Sequence, residues 1–165
     1  MFDFATKKAI VTDDNQASLA YIGILLKRMG FAVLPAENGF EVLRILKVVT
    51  PDVILVDIGM QPIDGLTILK EIKKNNLTAS IPVIIATGDS SREMIKKCMK
   101  SECAAYLTKP VKVDKLHEAI EKCVFSSTRS NRKHLRASFN KKCWYIIREP
   151  HMNSILRTSL KGVFM

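Results

Sequence analysis

Five short apolar runs alternate with five stretches of helical spacing between Lys8 and Cys123, and this alternation restricts the fold to a sheet whose successive strands are joined by helices. The runs are Ala9–Val11, Ala32–Leu34, Val53–Val56, Pro82–Ala86 and Ala105–Thr108. They are nearly continuous in hydrophobic character, as expected of parallel strands covered on both faces. Between the first two, Gln16 to Met29 places Leu19, Ile22, Leu26 and Met29 on one helical face, and Gly30 is suited to a left-handed cap. Gly39 to Val48 reads as a second helix before Pro51, and a third begins near Asp64 with Ile68, Leu69 and Ile72 inward. Ser90 or Ser91 caps a fourth, in which Met94 pairs with Cys98, and Leu116, Ala119, Ile120 and Cys123 form the buried stripe of a fifth. The pattern predicts an α/β domain built on a doubly wound, five-stranded parallel sheet.

The chemistry sits at the ends of those strands. Asp57 closes the run Val53-Ile54-Leu55-Val56, and the pair Asp13-Asp14 stands just past Ala9-Ile10-Val11. Three carboxylates brought into one crevice repel one another unless a cation sits among them, and an all-oxygen donor set suits Mg²⁺, which takes one or two carboxylates and keeps several waters. The fourth run stops at Thr87, a hydroxyl donor, and the fifth is followed by Lys109-Pro110. Fixed donors and cations are what the charge on a transferring phosphoryl group requires. In open parallel sheets, ligands bind outside the carboxyl ends of the strands, and all five polar residues lie there. Taken singly, each also reads as a helix cap, a turn former or a solvated charge. The order and spacing of the set carry the argument.

This order resembles the receiver domain of the two-component response regulators, the CheY-like family, over roughly residues 6 to 124. The resemblance implies a flavodoxin-like sheet of order 2-1-3-4-5. It implies that Asp57 is the phosphorylated aspartate, Asp14 a direct Mg²⁺ ligand with Asp13 acting through water, and the Gly59 backbone carbonyl the third protein ligand. Thr87 is then the hydroxyl that follows the phosphoryl group, Lys109 the cation bonded to it, and Tyr106 the aromatic whose rotamer reports the switch. The bond between Lys109 and Pro110 is expected to be cis. A histidine kinase or phosphotransfer protein is the implied donor, and a downstream effector is expected on the face made by the fourth helix, fifth strand and fifth helix. Such a protein catalyses its own phosphorylation and dephosphorylation but turns over no external metabolite.

The chain departs from the family pattern at several positions. Gln61 stands where proline is usual and Pro62 follows it, Gly88 replaces a commoner alanine, and Glu102-Cys103 replaces Gly-Ala. None of these removes a functional group. Asp89, two residues past Thr87, matches a position that influences the lifetime of the acyl phosphate.

Charge divides the chain more sharply than hydropathy does. Of 26 Lys and Arg, nine lie beyond residue 125, with only one of the 16 Asp and Glu, so most of the net charge of +10 belongs to the final segment. The expected division is a receiver unit over 1–125, a polar linker over 126–131 and a basic extension over 132–165. Apolar content of 47% and charged content of 25% fit a globular protein. No run approaches the ~18 residues of a membrane span, and the opening Met1-Phe2-Asp3-Phe4 lacks the basic-then-apolar pattern of a signal peptide, so a cytoplasmic location is expected. Cys98, Cys103, Cys123 and Cys143 form no C-x-x-C pair, the pattern of bystander thiols in a reducing compartment.

Within the basic extension, Arg132 and Arg136 form an R-x-x-x-R sequence, Trp144-Tyr145-Ile146-Ile147 suggests a strand, and Ser159 and Gly162 form S-x-x-G. This resembles the opening of a PilZ domain, which implies cyclic di-guanylate as a ligand clasped by Arg132 and Arg136, with Ser159 and Gly162 forming the second binding motif. Arg157 stands where the second motif opens with Asp or Asn. The simpler reading is a solvated basic extension with Trp144 packed on the preceding domain. A DNA-binding regulator would also use a basic surface, but the segment contains no helix-turn-helix pattern, which argues against nucleic acid. A Mg²⁺-dependent hydrolase would suit the three carboxylates, yet no second nucleophile accompanies them.

Overall fold

Two strands are buried at every residue, and the remaining elements are layered on them. The structure, a computed structural model, describes residues 7–125. In chain order the elements are β1 (Lys8–Thr12), α1 (Gln16–Arg28), β2 (Ala32–Ala36), α2 (Gly39–Leu46), β3 (Val53–Asp57), α3 (Gly65–Lys74), β4 (Val83–Thr87), α4 (Arg92–Lys100), β5 (Ala105–Thr108) and α5 (Val113–Ile120), the last running on into a π-helical turn over Glu121–Phe125. All pairings are parallel and the sheet order is β2-β1-β3-β4-β5. The fully buried strands are β3 and β4, which the runs of Val, Ile and Leu anticipate.

The two-residue period of a strand sends neighbours to opposite faces. Val53 and Leu55 therefore join Ile22, Leu26, Leu116 and Ile120 in one core beneath α1 and α5. Ile54 and Val56 enter a second core with Val42, Ile68, Leu69, Ile72 and Cys98 beneath α2, α3 and α4.

Helix starts follow from local chemistry. Asn15, Asn38, Asp64 and Ser91 cap α1 to α4 by accepting hydrogen bonds from backbone amides one turn ahead. Ser91 is thus the cap of α4, and Asp64 precedes α3 as expected. Gly30 takes φ 91 beyond the end of α1, a conformation that favours glycine.

Some boundaries differ from expectation. β2 continues through Pro35 to Ala36, because an edge strand tolerates a residue without an amide hydrogen. α2 ends at Leu46, short of Val48, and Cys123 lies on the π-helical turn beyond α5. The linker over 126–131 and the extension over 132–165, with Arg132, Arg136, Ser159, Gly162 and Trp144, lie outside the described residues.

Candidate functional site

The register of the sheet gathers the polar strand ends along one edge. Asp57, the last residue of β3, is paired with Ala86 of β4, and Thr87 is paired with Thr108 of β5. Lys109 follows immediately and donates its amide to the Thr87 carbonyl at 2.8 Å. On the other side of β3, Thr12 of β1 is aligned with Val56, which brings Asp13 and Asp14 to the same edge.

Close approach of α3 completes the shelf. A Cβ on Gly65 would lie 2.2 Å from the Asp57 carbonyl oxygen, so no larger residue fits without moving backbone. That approach lets the Gly65 amide donate to the Ile58 carbonyl at 3.2 Å.

Side chains of Asp13, Asp14 and Asp57 each offer an oxygen, and these oxygens lie within 4.8 Å of one another. Asp13 and Asp57 are buried, whereas Asp14 is exposed. Lys109 reaches into the group, its Nζ 2.5 Å from Asp13 Oδ2 and 3.2 Å from Asp57 Oδ2. Burial holds the Asp57 carboxyl above the ordinary range, an effect that the Lys109 charge and hydrogen bond oppose and the neighbouring Asp13 reinforces. Burial pulls the Lys109 ammonium down, but the bond to Asp13 and the charges of both carboxylates outweigh it and leave the group raised. Lys109 is therefore a fixed cation between two buried acids.

Asp13 and Asp14 differ in their freedom. Asp13 accepts from the Asn15 amide at 2.9 Å, from the Ser18 hydroxyl and from Lys109, so its oxygens are engaged on three sides. Among the described residues no side-chain hydrogen bond engages Asp14, which is exposed. A trio of carboxylates without a nitrogen or sulfur donor fits a hard divalent ion, with Asp14 and Asp57 the freer ligands. Gly59 follows Asp57 by two residues and is exposed, and a Cβ there would lie 3.4 Å from Asp57 Oδ2.

On the other flank, Thr87 is buried and its Oγ1 accepts from the Asp89 amide at 3.0 Å. Tyr106 on β5 is half-buried, and its hydroxyl donates to the Asp89 carbonyl at 2.5 Å. Burial, with the Cys98 thiol and the Asp89 carboxylate nearby, pushes the Tyr106 phenol up to about 12. Two hydrogen bonds thus tie Thr87 and Tyr106 to one residue of the loop between β4 and α4. Asp89 itself is held below the usual carboxylate range by hydrogen bonds from Ser91.

Both Lys109–Pro110 and Gln61–Pro62 are cis, and the second of these was not anticipated. Sequence reasoning also overlooked Ser18 and Met60. Ser18 lies in the first turn of α1, three residues past the Asn15 cap, a spacing that turns its hydroxyl back toward Asp13 and offered a signal. Met60 is wholly buried beneath the loop, with its sulfur accepting from Thr12 Oγ1 at 2.9 Å. A lone methionine after a strand carries no such signal.

Comparison with known proteins gives a consistent picture. Residues 9–121 match the family described as the response regulator receiver domain. The transcriptional regulatory protein ZraR of Salmonella typhimurium is 34% identical over 115 residues, which is 70% of this chain but 26% of that protein. This chain thus spans about a quarter of that relative's length. The polar-differentiation response regulator DivK of Brucella anthropi is 28% identical over 70% of this chain and 94% of its own length. Among solved structures, a response regulator receiver domain from Clostridium thermocellum superposes with a TM-score of 0.68 at 34% identity, covering 74% of this chain and 98% of that one. The receiver domain of the Francisella response regulator 1452 gives 0.68 at 30% identity, over 74% and 99% of the two chains.

Proposed function

Because the chain belongs to the response regulator receiver domain family, we propose that it accepts a phosphoryl group on Asp57 from a histidine kinase or a phosphotransfer protein and that the modification switches partner binding. The observation that carries the proposal is the convergence of Asp13, Asp14, Asp57 and Lys109 at the carboxyl edge of the sheet. An Asp57 oxygen attacks phosphorus, the new O–P bond forms as the P–N bond of a phosphohistidine breaks, and the electron pair leaves with the imidazole. Lys109, a cation already held at the site, shifts its contact from the Asp57 carboxylate to the phosphoryl oxygens. Asp14, Asp57 and the Gly59 carbonyl would hold Mg²⁺, with Asp13 acting through water, and the ion would supply Lewis-acid stabilisation of the charge on the transferring group.

The proposed readout runs through Thr87 and Tyr106. Drawing the Thr87 hydroxyl toward the phosphoryl group competes with its bond to the Asp89 amide, and Tyr106 is joined to the carbonyl of the same residue. A local change of charge therefore acts on the loop that leads into α4, and through it on the α4-β5-α5 face offered to an effector. In this reading Asp89, exposed in the same loop, orients or repels water near the acyl phosphate. The protein transforms no external metabolite in this scheme. Among the described residues, no helix is long and apolar enough to cross a membrane.

Incubation with acetyl phosphate and Mg²⁺, followed by intact mass spectrometry, is expected to show one added phosphate on the native chain and none on Asp57→Asn. Retention of the phosphate in that variant would overturn the assignment.

A further inference from the structure

Five lysines and one glutamate line a groove of about 640 Å³ between α3 and α4, on the side of α4 away from β5. Lys70 and Lys74 stand one turn apart on α3, and Lys97 and Lys100 stand one turn apart on α4, so two basic rims face each other. Lysines in the last turn of a helix offset the partial negative charge of its carboxyl end. That accounts for Lys73, Lys74, Lys97 and Lys100 but not for Lys70, which lies before the last turn of α3. Lys70, Lys97 and Lys100 are exposed and form no salt bridge among the described residues, whereas Lys74 is paired with Glu71 at 2.8 Å.

The floor is not basic. Leu66, half-buried, contributes apolar lining, and Lys73 turns its ammonium to the Ala79 and Ile81 carbonyls at 2.9 Å each, leaving its methylene stem to the groove. Glu102, exposed and also in the lining, takes φ 59, an uncommon conformation for a residue with a Cβ. An apolar floor between cationic rims fits a ligand that is apolar on one side and anionic along its edges.

Chemistry narrows the occupant. The chain's own final segment carries the same sign of charge as the rims and so offers them no charge complement. Nucleic acid is poorly matched, since the groove has no aromatic to stack on a base and no arginine to fork a phosphate. We propose that the α3–α4 groove docks an acidic segment of a partner protein, its leucine-like side chains against Leu66 and its carboxylates along Lys70, Lys97 and Lys100.

The test uses the full chain and a fluorescein-labelled helical peptide carrying Glu along one face and Leu along the other, followed by fluorescence anisotropy. Binding that weakens at least tenfold in Lys70→Glu/Lys97→Glu, changes less than twofold in Lys27→Glu on α1, and weakens with added salt is the expected result. Backbone amide shifts on peptide addition should cluster at Leu66, Lys70, Lys97 and Ser101. The proposal is overturned if the peptide fails to bind, if a Gln-for-Glu version binds equally well, if Lys27→Glu loses as much as the groove variant, or if single-stranded oligothymidylate binds more tightly. Because the substituted lysines are exposed, a folding defect is not expected, and Lys100→Ala provides a milder second variant with a loss of about threefold.

Discussion

α3 and α4 lie side by side on the same face of the sheet, yet they are attached to it very differently. α3 buries Gly65, Ile68, Leu69 and Ile72, and Asp64 caps it with hydrogen bonds from the Leu66 and Thr67 amides and the Thr67 hydroxyl. Of the described side chains of α4, only Cys98 is buried, and Ser91 caps it through one bond from the Met94 amide at 3.2 Å. The ends differ as well, since α4 is followed by Glu102 at φ 59 and α3 by no such residue. Local opening is least costly where few apolar contacts and few caps must be given up. α3 therefore serves as the wall beside Asp57, through the close approach at Gly65, and α4 as the helix that is less costly to displace.

The largest expected contrast is in the core. Ile68→Ala should destabilise the protein by about 2–5 kcal/mol, because it leaves a cavity beneath a fully buried site, whereas Met94→Ala on α4 should cost about 1 kcal/mol. Urea denaturation of the two variants measures both, and equal losses would remove the distinction between the helices.

Next in size is the cap of α3. Asp64→Ala should cost about 1 kcal/mol at neutral pH. Hydrogen bonds from Thr67 hold the Asp64 carboxyl below its ordinary value of 3.8 in the folded protein. A depressed folded value means that the stability it contributes is fully present above the unfolded value and is lost as pH falls through the folded one. The gap between native and Asp64→Ala proteins should therefore close in acid, and a gap independent of pH would show that the carboxylate charge is not what caps α3.

The smallest effect is expected at the end of α4, where Glu102→Gly should stabilise by about 0.5 kcal/mol, the relief of a left-handed backbone exceeding the entropy that glycine loses. Thermal unfolding reads this directly, and destabilisation would mean that the Glu102 side chain contributes more than its backbone costs.

Much of this arrangement was legible beforehand, for identifiable reasons. β3 and β4 were visible as apolar runs because strands covered on both faces leave no position for a polar residue until they emerge at Asp57 and Thr87. The cap of α4 was visible as Ser90 or Ser91, the two being separable only once the Met94 amide was seen to point at the latter, whereas the Asn15 and Asn38 caps emerged only in the structure. The reach of β2 through Pro35 was hidden, since proline forbids a central strand but not an edge one, and only the strand order tells the two apart. The cis bond at Gln61–Pro62 and the burial of Met60 under Thr12 were hidden too, because loop paths depend on what lies beneath them.

Residue order alone determined which groups stand at the strand ends, because a two-residue period and a buried sheet leave a polar side chain nowhere else to go. Tertiary structure decided how those groups divide the work. It set Asp13 among three donors while leaving Asp14 to solvent, held Lys109 between two acids, and faced lysines of α3 with lysines of α4 across a groove. These are relations between segments distant in the chain, and they arise only when the register of the sheet and the packing of helices on it bring such segments together.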